Sequence, residues 1–358
     1  MPILHDGGMS ETIRHRARHG PEVVRGQVWC DGEAVSGFEL ANISEYLDKK
    51  GTLVWADLQC PTHETLATLA DELDLDRFAI EDAVEEAERV KTVSYARHTF
   101  LMVYAVTNLR EPDQARDFAD TDNASGHLFE LHRISMFVRS NMLITVRLSD
   151  AFDMDTVVER WREIGGERYG VGALVHGVLD VVVDGHFDAV RSLDDAIEQL
   201  EEMLFDDSIP SQVLQRRSFQ VRKELVRFRR VVLPLREVIA GIQRRRLDND
   251  APTELDPHFS DLYDHTLRVA EWTESLRDMV TTVFETNLSL ADARLNTVMK
   301  KLTGWAGIIA VPTAITGYYG QNVPFPGFSN TLGFWSSTVL LITAVTVLYL
   351  MFKKRDWI

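Results

Sequence analysis

The chain has 358 residues, and its 38 Lys and Arg against 55 Asp and Glu give a formal net charge of −17. The charge is uneven: residues 302–352 contain no Asp, Glu, Lys, Arg or His, residues 1–301 carry −19, and the residues after 352 carry +2. An acidic body argues against a nucleic-acid partner, because phosphate contacts need a net basic face. Two cysteines, Cys30 and Cys60, are too few for a disulfide framework or a thiolate cluster and fit a reducing compartment.

The amino-terminal part of the chain predicts a tail followed by an α/β domain. Residues 1–20 contain basic side chains but no apolar core, so we expect a tail and not a signal peptide. Five apolar, β-rich runs follow: Gly26–Cys30, Thr52–Leu58, Thr92–Thr107, His127–Val138 and Met142–Leu148. Helical patterns lie between them at Thr62–Leu73 and Asp76–Glu88. This mixture predicts an α/β domain over about residues 20–165.

After Val171 only helical patterns remain, at Val171–Asp207, Ser211–Arg246 and from Asp256 onward. The first of these helices ends in acidic residues, whereas the second contains 11 Lys and Arg between Arg216 and Arg246. A basic helix could bind nucleic acid or lipid. We favour an antiparallel pair of helices with complementary faces.

The third helix is predicted to be unusually long, because nothing interrupts its pattern between Phe259 and Pro312. Residues 258–319 would measure roughly 90 Å at about 1.5 Å per residue. We divide the region into a cytoplasmic domain at 21–255, a stalk helix at 256–301 and a first membrane span that continues the same helix.

The carboxyl-terminal region predicts a membrane hairpin. Two uncharged apolar segments, 302–320 and 332–352, are each long enough to cross a bilayer core of about 30 Å. The linker at 321–331 contains two prolines and two asparagines and predicts a short extracytoplasmic loop. A basic tail follows at 353–358.

Basic residues on both flanks predict the orientation of this hairpin. Lys300 and Lys301 precede the first span, and Lys353, Lys354 and Arg355 follow the second. Because cytoplasmic flanks carry an excess of Lys and Arg, we expect a multi-pass protein of the cell (inner or plasma) membrane with both termini in the cytoplasm.

The first span is rich in Gly, Ala and Thr, which let helices approach closely in lipid. Two helices cannot enclose an aqueous path, so a pore needs several copies around an axis. One stripe recurs at intervals of three and four residues on this helix: Asn296, Met299, Leu302, Ala306, Ala310, Thr313 and Gly317.

The segment RLNTVMKKLTGWAGIIAVPTAITGYYGQN, Arg294–Asn322, closely resembles the pore helix of the CorA family of divalent-cation channels. That family reads as a TNEVMK-like segment, then LT, an apolar span with a proline and a closing YGMN. YDHT at Tyr263–Thr266, PLRE at Pro234–Glu237 and the basic-Trp-Ile end of the chain fit the same family.

The resemblance implies an α+β membrane protein with a cytoplasmic α/β/α domain, a long stalk and pore helix and two carboxyl-terminal transmembrane helices. It also implies a homopentamer in membrane lipid, a Mg²⁺ cargo without a nucleotide, and a selectivity filter at Gly320, Gln321 and Asn322. Met299 and Leu302 match the apolar gate, and Lys353, Lys354 and Arg355 would ring the cytoplasmic entry. Gln321 departs from the Gly-Met-Asn signature, which leaves magnesium selectivity open.

The family's regulatory acids bind cytoplasmic Mg²⁺ at subunit contacts, and by local pattern they match Glu81, Asp82, Asp184 and Asp261. These acids could equally be solvated helix surface.

We therefore expect a passive Mg²⁺ channel that cytoplasmic Mg²⁺ gates, with Co²⁺ and Ni²⁺ as further candidate ions. A ZntB-like zinc transporter of the same fold is the first alternative. A non-conducting membrane-anchored metal sensor or scaffold, with His258, Asp261 and His265 on roughly one helix face, is the second. No phosphate-binding glycine loop, HExxH or nucleophile motif occurs, so an enzyme is not expected.

Overall fold

The computed structural model describes residues 21–85, 89–108, 127–206, 208–248, 253–321, 324, 327–328 and 330–358. The predicted tail at 1–20 and the end of the predicted helix at 86–88 lie outside these residues. The chain forms two compact units, one of residues 1–208 with 216–281 and one of residues 209–215 with 282–358.

The first unit contains a seven-stranded mixed sheet in the order β2-β1-β3-β7-β6-β5-β4. Its strands are β1 Val23–Cys30, β2 Glu33–Val35, β3 Thr52–Gln59, β4 Lys91–Ser94, β5 Thr99–Asn108, β6 Phe129–Arg139 and β7 Met142–Arg147. Only β3 and β7 pair in parallel, with Val54 opposite Met142, and all other neighbours are antiparallel.

Short helices cover one face of the sheet: α1 Ile43–Leu47, α2 His63–Leu73 and α3 Arg77–Val84. Thr62 caps α2 by accepting a hydrogen bond from the Thr65 N–H at 3.1 Å, which explains why the helix begins there. Leu66 and Leu69 of α2 pack with Ile43 of α1 and with sheet residues such as Val54 in one buried cluster.

The other face is covered by α4 Met154–Glu163, α5 Gly170–Leu204, α6 Ser211–Asp248 and the start of α7 Asp256–Tyr319. Trp161, Leu179, Leu235 and Phe259, one from each helix, share a buried cluster with sheet residues such as Leu101. A sheet between two helical layers confirms the predicted α/β/α domain.

The structure corrects the predicted strand at Thr92–Thr107, which is two strands, β4 and β5. They are joined by a turn in which the Tyr95 N–H donates to the His98 carbonyl at 2.8 Å. The turn contains no Gly or Pro, so the apolar run hides it.

The sequence patterns also did not predict β2, α1 or α4. Asp31 and Gly32 both have positive φ, 50° and 87°, and form the tight turn from β1 to β2. An Asp-Gly pair is a hairpin signal and could have indicated this turn. All three residues of β2 are exposed, so no apolar alternation marks the strand.

The second unit holds the last part of α7 and α8 Thr331–Lys354. The predicted continuous helix is confirmed, because α7 runs through Pro312 to Tyr319. By length and apolar composition two described helices could cross a membrane, α5 and α8. The apolar stretch of α5 is 56% buried in the domain core, whereas that of α8 is 0% buried. The uncharged end of α7 is less apolar because Gly, Thr and Tyr recur in it.

Candidate ion pathway

The predicted pore stripe lies on one exposed face of α7 in the single chain. All seven members are solvent-exposed: Asn296, Met299, Leu302, Ala306, Ala310, Thr313 and Gly317. Met299 and Leu302 are 52% and 63% exposed, although side chains of this kind are usually buried in a folded protein. Such a face is available to pack against another copy of the chain or to line an ion path.

The opposite side of the same helix packs against the end of α8. Ile308 and Gly304 are buried, and a Cβ added at Gly304 would lie 3.1 Å from Ile358 Cγ1. A Cβ added at Gly307 would lie 3.5 Å from the Phe352 ring. Small residues therefore serve close helix contact here, as they do between membrane helices.

Gly320 and Gln321 directly follow Tyr319, the last residue of α7. The Gly320 N–H donates to the Thr316 carbonyl at 2.8 Å, and a Cβ added at Gly320 would lie 2.9 Å from that same oxygen. The Gln321 N–H donates to the Tyr318 carbonyl at 3.3 Å, and the residue is exposed. Asn322 lies outside the described residues.

The chain terminus folds back after α8 and closes the helix contact. The Trp357 ring stacks on Phe352 at 5.5 Å, and the Trp357 N–H donates to the Phe352 carbonyl at 3.0 Å. Lys353, Lys354 and Arg355 are exposed at the end of α8. The sequence patterns did not predict the packing role of the terminus, for which the small residues Gly304 and Gly307 are the local signal.

Two predicted regulatory acids lie on α3. Glu81 is exposed, and Asp82 forms an ion pair with Lys91 at 2.8 Å. In the single chain the Asp82 carboxylate is therefore already partnered by a cation from β4.

Asp184 and Asp261 lie on α5 and α7. Asp184 accepts a hydrogen bond from Arg160 at 2.6 Å. Burial, followed by the nearby Asp180 carboxylate, raises the pKa of Asp184. Asp261 is 70% exposed at its side chain and lies 3.8 Å from His265 Nε2.

The three residues of the sensor alternative do not converge. The His258 ring packs edge-on against His176 at 5.6 Å, while His265 faces Asp261. Within the described part of the chain no three His, Cys, Asp or Glu side chains form a group that could hold a metal ion. The predicted regulatory acids are likewise not assembled into one site in a single chain.

Comparison with known proteins shows which family has this architecture. The family model described as "CorA-like Mg2+ transporter protein" matches residues 50–354. The chain is 30% identical over 241 residues to the cobalt/magnesium transport protein CorA of Thermotoga maritima, covering 65% of this chain and 66% of that protein. It is 23% identical over 234 residues to the zinc transport protein ZntB of Yersinia enterocolitica, covering 64% and 69%.

A solved structure has the same fold. The complete structure of the CorA magnesium transporter from Methanocaldococcus jannaschii superposes with a TM-score of 0.68 at 20% identity, covering 93% of this chain and 98% of that one. The α/β/α domain followed by two carboxyl-terminal apolar helices is therefore a fold that this chain shares with that protein. The chain belongs to the CorA-like Mg²⁺ transporter family. It is therefore a membrane protein of a transporter family and not of an enzyme family.

Proposed function

We propose that this protein is a passive channel that carries Mg²⁺, with Co²⁺ and Ni²⁺ as further candidate ions, and that it works as a homopentamer in the cell membrane. The observation that carries the proposal is the exposed α7 stripe from Asn296 to Gly317, opposite the face that packs on α8. Copies arranged around an axis would bury this stripe against one another and line a path with it.

Neutral oxygen atoms at the mouth suit a hydrated divalent ion. Mg²⁺ gives up its waters reluctantly, and a ring of carbonyl oxygens can hydrogen-bond those waters without trapping the ion. The Gly320 carbonyl and the Asn322 amide of each copy would form that ring. Met299 and Leu302 would close the path by excluding water, and Lys353, Lys354 and Arg355 would surround the cytoplasmic entry.

The membrane potential suffices to drive uptake. Moving two charges through 100 mV releases about 4.6 kcal/mol, at roughly 2.3 kcal/mol per charge. This direction requires both termini in the cytoplasm, the orientation that the basic residues on both flanks of the hairpin favour.

Cytoplasmic Mg²⁺ would hold the closed state by bridging acids of neighbouring copies at Glu81, Asp82, Asp184 or Asp261. The exposure of Asp261 supports this role, since its carboxylate is free to meet another copy. Loss of the ion would leave like charges facing each other and favour opening.

Ion flux into liposomes tests the proposal. Purified protein should pass Mg²⁺ without an imposed pH gradient. Asn322→Ala should lower flux by tenfold or more, about 1.4 kcal/mol of lost stabilisation. Asn330→Ala is the matched control, because the Asn330 side chain makes no capping bond to α8. Equal flux in both variants would contradict the filter.

A zinc transporter is the second candidate, because Gln321 replaces the signature methionine and a ZntB protein is among the relatives. Zn²⁺ flux that needs a pH gradient, without Mg²⁺ flux, would establish it. Gln321→Met, measured beside the wild type, would show whether this side chain sets the cation preference. Absence of any flux in the wild type would instead support a sensor or scaffold.

A further inference from the structure

Helix α5 carries an exposed acidic stripe, which we define as Asp188, Asp195, Glu198 and Glu202. The spacing of seven, three and four residues places them on one helix face. One cation, Arg191, shares this face and pairs with Asp188 at 3.4 Å. The other three acids form no ion pair with the cations of α6 in the described part of the chain.

Helix α6 carries an exposed basic stripe, which we define as Arg216, Lys223 and Arg230. Phe219 and Val226 lie between these cations on the same face and are 69% and 42% exposed. Each stripe covers fifteen residues, and the fourteen helical steps from its first residue to its last measure about 21 Å at about 1.5 Å per residue. A face that alternates cations with exposed apolar side chains is suited to a protein partner.

The two stripes match in height along the hairpin formed by α5 and α6. The Arg217 Nη1 contacts Met203 Sδ at 3.1 Å, and Ala196 and Glu224 line the same small cavity between the helices. In antiparallel helices, moving one residue toward the amino terminus of one helix keeps the same height as moving one residue toward the carboxyl terminus of the other. Glu202 is therefore nearly level with Arg216, Asp195 with Lys223, and Asp188 with Arg230.

A cyclic assembly joins two different surfaces of the same chain, one on each side of every contact. Rotation about an axis that runs along the hairpin leaves each residue at its own height. We infer that the acidic stripe of one copy docks on the basic stripe of the next copy. This inference rests on the proposed homo-oligomer. It adds a contact between cytoplasmic helices that is separate from the pore.

Cross-linking between copies tests the contact. In a full-length background with Cys30 and Cys60 replaced by Ala, Asp195→Cys chains and Lys223→Cys chains are co-expressed and treated with a short bis-maleimide in detergent. A two-chain product should form. The control mixture uses Arg222→Cys, also exposed but turned about 100° away on the helix, and should give about fivefold less product. Equal yields would overturn the inference.

Charge reversal provides the second test. Lys223→Glu should lower the fraction of assembled protein in light scattering, and Asp195→Lys with Lys223→Glu should restore it. If the wild type is assembled and neither variant changes the assembled fraction, this contact alone is overturned. If the wild type is monomeric, the proposed oligomer is overturned. The inference is also wrong if Lys223→Glu loses binding to phosphatidylglycerol vesicles and the added Asp195→Lys substitution does not restore assembly. In that case the basic stripe faces a membrane.

Discussion

Gly320 has no room for a side chain, because its Cβ would lie 2.9 Å from the Thr316 carbonyl oxygen. We predict that Gly320→Ala distorts the end of α7 and costs about 1–3 kcal/mol of stability, as other overpacked substitutions do. Both the thermal unfolding temperature in detergent and the Mg²⁺ flux into liposomes should be lower than in the wild type.

Gly317→Ala is the matched control for Gly320. A Cβ at Gly317 has nothing within 4 Å, so it should leave the unfolding temperature unchanged or slightly raised. If the two variants lose stability equally, the close contact at Gly320 is not the cause.

His186 is fully buried in α5, where its Nε2 donates to the Tyr104 carbonyl at 2.8 Å. Burial lowers the pKa of His186 from 6.5 to about 4. Because the folded protein holds this histidine neutral, the stabilisation is present above pH 6.5 and is lost as the pH falls toward 4. The loss amounts to roughly 3 kcal/mol at about 1.4 kcal/mol per pKa unit.

Unfolding by urea at pH 7 and pH 4.5, followed by tryptophan fluorescence, measures this effect. His186→Gln should show a smaller loss of stability on acidification than the wild type. His63→Gln, at an exposed position, should behave as the wild type. An unchanged acid response in His186→Gln would contradict the assignment.

Among the elements, β3 and β7 form the parallel pair of the sheet and share a buried ion pair. Arg147 donates to Asp57 at 2.6 Å and 3.1 Å and to the Phe152 carbonyl at 2.8 Å. Thr145 donates to the same Asp57 carboxylate at 2.7 Å. Each buried charge is therefore compensated.

We predict that Arg147→Met destabilises the domain by about 3–5 kcal/mol, because it leaves the Asp57 charge buried without a partner. Asp57→Leu combined with Arg147→Met should cost less than Arg147→Met alone. Urea unfolding of the full-length variants measures both values. The single variant Asp57→Leu is measured as well. If the loss of unfolding free energy in the double variant equals the sum of the losses in the two single variants, the two side chains act independently.

For the whole molecule, gating requires acids that reach another copy. Asp261→Ala should raise the internal Mg²⁺ concentration needed for half-closure by several-fold, since one carboxylate contact is worth about 1 kcal/mol or more. Asp264→Ala is the control at a second exposed acid of the same helix. Patch recordings with stepped internal Mg²⁺ measure the shift, and unchanged sensitivity in Asp261→Ala would remove it as a sensor.

Local patterns predicted most helices and strands within a few residues. The capped start of α2 and the beginning of α6 directly after Pro210 follow from signals carried by adjacent residues. The pair Asp57 and Arg147 was not predictable in this way, because 90 positions separate residues that meet only after β3 and β7 align.

By itself the sequence determined the charge-free hairpin, the unbroken course of α7 and the stripe on its surface. These depend on composition and on helical period, which are properties of neighbouring residues. Tertiary structure alone decided the order of the strands, the contact of Ile358 with Gly304 and the height at which α5 meets α6. Each of these is a choice among many possible partners, and close packing of distant side chains makes that choice.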